Sequence, residues 1–339
     1  MNAADATRVI AEVEIAGDEL RGLDAKSSIQ QIEGQRETVK AAFDWLLDHG
    51  EGEDALRVCV ALYDFWRVTG TAAEGRAWID RGLRADGVSN VTRARALDRL
   101  GMLAFWQGDD VTATSSFEES LDLARKIKDP RSIAVALAAQ ARVALRADNL
   151  EESRRLCLEA LATVEGTDDL EGRSNALHVL SVTAQMQGNL TEARDLMNQR
   201  LELARGQGNF ARVAVESSNL SHVERRLGNR SRAEELARDA LEIAVRRGDA
   251  WMVPYTLNAL AACAVEARRF ERAAQMLGAA ARMVDEQEAA WPPDEAPLFE
   301  QSRQAAGQAL GPEEFATTWS AGRAMDLPAA VAYALDRDN

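Results

Sequence analysis

The chain has 339 residues, and 55 Asp plus Glu outnumber 40 Lys plus Arg, a formal charge of -15. That overall field repels polyanions, which argues against direct nucleic-acid binding. No apolar stretch approaches the roughly 18 residues that span a membrane, and three distant cysteines, Cys59, Cys157 and Cys263, form no CxxC pair. With no signal-peptide pattern at the N-terminus, they suit free thiols in a reducing cytoplasm.

In chain order, residues 1–26 are helical but weakly patterned. Residues 28–48 read as one capping helix, with Ser28 as its N-cap and Gly50 as its stop. Internal periodicity then takes over. Turn signals stand at Gly70, Gly108, Asp148, Gly188, Gly228 and Arg268; the first spacing is 38 residues and each later one is 40. Five residues after each anchor comes a small residue: Gly75, Ala113, Ser153, Ala193, Ala233 and Ala273. Thirteen after it comes Leu83, Leu121, Leu161, Leu201 and Leu241, then Ala281. Each unit is therefore a helix A, a turn and a helix B; small residues let A and B cross closely, and the leucines fill the seam between pairs. One pair cannot bury its apolar stripe alone, so the pairs stack.

The expected fold is an all-α, right-handed superhelical solenoid of antiparallel helix pairs. Its expected organisation is N-terminal capping helices over 1–50, about six pairs over 51–289, and a C-terminal helical cap over 290–339. Five of the seven prolines fall in that last region. WPPDEAP reads as a linker turn before three shorter helices near 297–309, 312–323 and 327–336.

The residues Leu100, Gly101, Ala104, Gly108, Asp109, Ala113, Ser120 and Leu121 resemble the tetratricopeptide signature, and four further units keep the register. A period of 40 exceeds the usual 34, which implies longer helices. The segment Phe65-Trp66-Arg67-Val68-Thr69-Gly70 and the stretch from Gly75 to Leu83 resemble the repeat region of actinobacterial signal-transduction ATPase and LuxR-type transcriptional regulators. So do Arg272–Ala280, Gly311–Trp319 and Val331–Leu335, so the likeness extends over nearly the whole chain. Those regulators join such repeats to an ATPase domain and often a helix-turn-helix; this sequence shows no GxxxxGK[ST] and no basic recognition helix.

The resemblance implies that helix A lines a concave groove. Mapped by helical spacing, the groove takes Arg95, Trp106, Arg142, Arg146, Asn175, His178 and Gln185 from the first half of the array. From the second half it takes His222, Arg225, Arg226, Tyr255 and Asn258. Asp64, Arg67, Asp98, Met102, Phe105, Met186 and Glu266 fall on the same face. Arginine forks beside aromatic rings suit a carboxylate or phosphate. The expected function is thus a sensor or scaffold that binds a peptide, protein or small anionic ligand, with no cofactor and no metal. The competing interpretation of the arginines is that they pair with neighbouring acids and solvate the surface. If the chain were instead an enzyme or accessory protein of a specialised pathway, His178 and His222 would be its acid–base groups. A purely structural adaptor, self-associating as a homodimer, is the third alternative. No nucleophile elbow, zincin motif or carboxylate pair favours catalysis.

Overall fold

The computed structural model describes residues 1–336, so the last three residues of the expected cap, 337–339, lie outside the described residues. Among the described residues there are eighteen α-helices and no strand. Three N-terminal helices come first: α1 (Ala3–Glu19), α2 (Ala25–Gly34) and α3 (Arg36–Asp48). The pairs follow as α4/α5 (Gly52–Thr69, Ala72–Leu83), α6/α7 (Asn90–Trp106, Asp110–Ile127) and α8/α9 (Pro130–Arg146, Leu150–Thr163). They continue as α10/α11 (Leu170–Met186, Leu190–Gly206), α12/α13 (Phe210–Arg226, Arg230–Arg247) and α14/α15 (Val253–Glu266, Phe270–Glu286). The chain ends with α16 (Glu295–Leu310), α17 (Pro312–Ala324) and α18 (Leu327–Leu335).

All six turn anchors take the left-handed conformation that ends a helix sharply. At Gly108 φ is 77°, and the non-glycine anchors Asp148 and Arg268 adopt 57° and 61°. The small residues after each turn are buried at the A–B crossing. At the α6–α7 crossing a Cβ on Gly101 would overlap the ring of Phe117. Buried leucines such as Leu121, Leu201 and Leu241 fill the seams, each contributing on the order of 2 kcal/mol by leaving water. The result is the right-handed superhelical stack that the periodicity requires.

Two local readings are corrected. The single helix over 28–48 is broken at Gln35, where φ is -106° and ψ is 7°. Ser28 is no N-cap: it is buried inside α2, and its hydroxyl donates to Glu19 Oε2 at 2.7 Å, tying α2 to α1.

The stack also meets itself. After one superhelical turn the α13–α14 connection reaches the N-terminal helices. Arg247, fully buried, donates to the carbonyl of Leu20 at 2.8 Å and to that of Gly22. Ala211 N–H donates to Arg21 O at 3.3 Å, and Arg67 lies 3.5 Å from Asp249. The connection between α15 and α16, which holds most of the expected WPPDEAP linker turn, crosses to α6, where Ala290 N–H donates to Trp106 O at 2.8 Å. These contacts narrow the groove into a partly open cavity.

Candidate ligand cavity

That space is a cavity of about 210 Å³ on the superhelix axis. Its walls come from the A helices α4, α6, α8, α10, α12 and α14, together with Arg200 of α11 and the 251–252 and 292–295 connections. Successive A helices repeat the same concave positions, which is why residues about 40 apart in sequence converge here.

Arg142, Arg200 and Arg212 line the cavity, together with His178. Glu216, fully buried, takes Arg200 as an ion-pair partner and lies 2.7 Å from His178 Nδ1. Burial pushes the Glu216 carboxyl up, but the Arg200 charge and the hydrogen bonds from His178 and Arg200 outweigh it and hold it below the usual range. Its neighbour moves the other way: burial, and then the Arg200 charge, lower His178 to about 4, so the imidazole is neutral near pH 7. With Glu216 ionised, the neutral ring donates its Nδ1–H to the carboxylate.

Arg142 and Arg212 differ from the other cations. Neither guanidinium has a hydrogen-bonded or ion-paired partner among the described residues. Burial depresses both, and the nearby Arg200 charge contributes to bringing Arg212 down to about 10. By contrast, Arg99 lies 3.2 Å from Asp98 and 3.3 Å from Glu171, and Arg67 is shared by Asp64 and Asp249. Glu171 resists burial because Arg99 and Arg131 hold it at about 2. At Asp294 burial and the adjacent Glu295 charge prevail over the opposing Arg142 charge and raise the carboxyl to about 6.

Part of the lining is aromatic. Trp106 and Trp251 pack edge to face at 4.9 Å, and Trp251 meets Tyr255 at 4.7 Å. The Tyr255 ring is buried and its hydroxyl has no hydrogen-bond partner among the described residues.

Of the residues expected in the groove, the fold brings Trp106, Arg142, Asn175, His178 and Tyr255 to this cavity, along with Asp64, Arg67, Asp98, Met102 and Phe105. The others lie elsewhere. Arg95 is exposed. Arg146 pairs with Asp110 at 2.8 Å and stacks on Phe105 at 3.5 Å. Arg225 pairs with Glu266 at 2.6 Å, and Arg226 donates to the Gln185 carbonyl at 2.9 Å. His222 and Asn258 both bind the carboxylate of Glu295, at 2.9 and 2.6 Å. The two histidines therefore serve different carboxylates instead of approaching each other. Among the described residues no cluster of His, Cys, Asp and Glu could hold a metal ion, and no helix is long and apolar enough to cross a membrane.

Arg200 and Glu216 escaped the reading by groove position, yet the chain carried a signal for both. Twelve residues after each anchor stand Gly82, Ser120, Ala160, Arg200, Ala240 and Ala280. Twelve before each stand Val58, Ala96, Ala136, Ala176, Glu216 and Thr256. In each column one charged residue replaces a small or apolar one, and the two interruptions lie in adjacent units.

Tetratricopeptide repeat models match residues 132–206 and 218–247, which span α8 to α11 and most of α12 with α13. Proteins of Mycobacterium tuberculosis and Mycobacterium bovis, described by name as helix-turn-helix-type transcriptional regulators, are 26% identical over 125 residues. The match takes in 34% of this chain and only 14% of theirs. Among solved structures, a Rap protein complexed with competence and sporulation factor superposes with a TM-score of 0.58. It is 15% identical, over 92% of this chain and 86% of that one. A signal-transduction ATPase with a tetratricopeptide repeat sensor from Pyrococcus horikoshii superposes at 0.50, 12% identical, over 91% of this chain and 50% of that one. The recurring register, the helix pairs and these matches agree that the chain is an all-α solenoid of tetratricopeptide-like helix pairs, with tetratricopeptide repeat models matched over 132–206 and 218–247.

Proposed function

We propose that this chain is a signal-receiving module of a regulator and takes its effector into the axial cavity. The observation that carries this reading is the pair of guanidiniums, Arg142 and Arg212, both lining the cavity without a hydrogen-bonded or ion-paired partner among the described residues. A partly desolvated cation is costly unless paired, and an anionic effector would supply the missing partner. The similarity to regulators, and to sensor repeats attached to an ATPase, supports a receiving role. In such a role the effector would bias the seam between the N-terminal helices and the α13–α14 connection toward its closed state.

An enzymatic role has weaker support. A histidine lowered to about 4 is a poor base at neutral pH, and His222 spends Nε2 on Glu295. The test is a melting screen of metabolites and short peptides on the full chain and on the Arg142→Gln/Arg212→Gln variant. A true effector raises the melting temperature by mass action, by roughly 2.7 kcal/mol at a hundredfold excess over Kd, and loses that effect in the variant. Hits retained in full by the variant would count against the cavity as the receiving site.

A further inference from the structure

Resting on that reading, the walls also specify a ligand class. We propose that the cavity binds one compact aromatic monocarboxylate, with its carboxylate between Arg142 and Arg212 and its ring against Trp106, Trp251 and Tyr255.

Size comes first. An apolar cavity of about 150 Å³ holds one benzene. The 210 Å³ here leaves about 60 Å³ more, enough for a carboxyl group and a one-carbon arm. A peptide of several residues exceeds that volume.

Charge comes second. Arg142, Arg200 and Arg212 all line the cavity, and Arg200 already occupies the Glu216 carboxylate. Asp64, Asp98 and Glu171 are tied to Arg67 and Arg99. The unpaired cations thus call for one small anion. A dianion would also face the carboxylates of Glu171, Asp98 and Glu295 that line the cavity, and a planar carboxylate matches the guanidinium fork.

Shape comes third. Trp106, Trp251 and Tyr255 present ring faces and edges in successive tilted contacts of 4.9 and 4.7 Å. Such walls receive a flat ring in offset or edge-to-face contact. Val179, Val182 and Val215 add apolar surface to the lining. The unpartnered Tyr255 hydroxyl is positioned for a polar substituent on the ring.

Calorimetric titration of the full chain with phenylacetate, phenylacetamide and inorganic phosphate tests this, with tryptophan fluorescence as a second readout. Phenylacetate is expected to bind and to change the emission of Trp106 and Trp251; the neutral amide and phosphate should bind at least tenfold more weakly. Arg142→Gln and Arg212→Gln should each weaken phenylacetate at least tenfold. Arg154→Gln, which breaks only the surface pair with Glu192, should leave binding intact. Circular dichroism melting confirms that the variants fold. Equal binding of the amide or of phosphate overturns the proposal, as does phenylacetate binding that neither arginine variant weakens. If phenylacetate fails while another compound from the melting screen depends on Arg142, the ligand class is wrong and the cavity stands. If no compound depends on either arginine, both readings fall.

Discussion

Arg200 and Glu216 each stand at a position that the sister repeats fill with small or β-branched residues: glycine, serine or alanine for Arg200, and alanine, valine or threonine for Glu216. A buried ion pair gains little over apolar packing, but breaking it leaves one charge without solvent or partner. Glu216→Ala is therefore expected to cost about 3–5 kcal/mol in urea denaturation. Arg200→Met/Glu216→Ala, which removes both charges, should recover most of that loss. A double variant as unstable as the single one would mean that the pair contributes more than charge compensation. His178 makes a second prediction at this scale. Its folded value, about 4, lies below the ordinary histidine value. Below pH 6.5 the unfolded chain takes up a proton that the folded chain refuses. The stability linked to this group is thus complete above pH 6.5 and declines as the pH falls toward 4. The slope is on the order of 1.4 kcal/mol per pH unit. His178→Asn should flatten that part of the stability profile, measured by denaturant midpoints at several pH values.

At the scale of helices, each A–B turn needs one residue at positive φ. Glycine takes it without strain; Arg268, exposed and at 61°, does so against Cβ repulsion. Arg268→Gly is expected to stabilise the chain by about 0.5–1 kcal/mol, visible as a higher melting temperature. Close crossings behave oppositely. A Cβ on Gly278 of α15 would stand 2.5 Å from the Trp319 carbonyl oxygen of α17, and neither backbone can yield cheaply. Gly278→Ala should destabilise by about 1–3 kcal/mol and raise amide exchange in α17 before it does so in α8 or α10. Uniform exchange across the chain would contradict that local origin.

The whole molecule departs from an open solenoid because its ends touch. Stacked repeats ordinarily couple only to their neighbours, but Arg247 reaches a carbonyl 227 residues away. Arg247→Met keeps the buried stem and removes those hydrogen bonds. It should raise amide exchange in α1 and α2 and enlarge the radius of gyration seen by small-angle scattering, while leaving the central pairs protected. Protection of α1 and α2 equal to that of the unaltered chain would show that apolar packing alone closes the seam.

Much of this architecture was written in the chain. Gly108, Gly188 and Gly228 marked the turns, Ala193 and Ala233 the crossings, and Leu201 and Leu241 the seams. These features are local: they depend on helical spacing within a pair and on contact with the next one. Trp106, Arg142, Asn175, His178 and Tyr255 could be placed on the concave face for the same reason. Whether a concave arginine meets a carboxylate or an empty space depends on neighbours roughly 40 residues away and on side-chain reach. Spacing alone therefore could not separate Arg225, paired with Glu266, from Arg142, which has no partner. Closure lay further still from local pattern. It is the sum of small rotations over six pairs, completed by Arg67, Arg247 and the 288–294 segment. Only their folded juxtaposition turned an expected groove into a cavity.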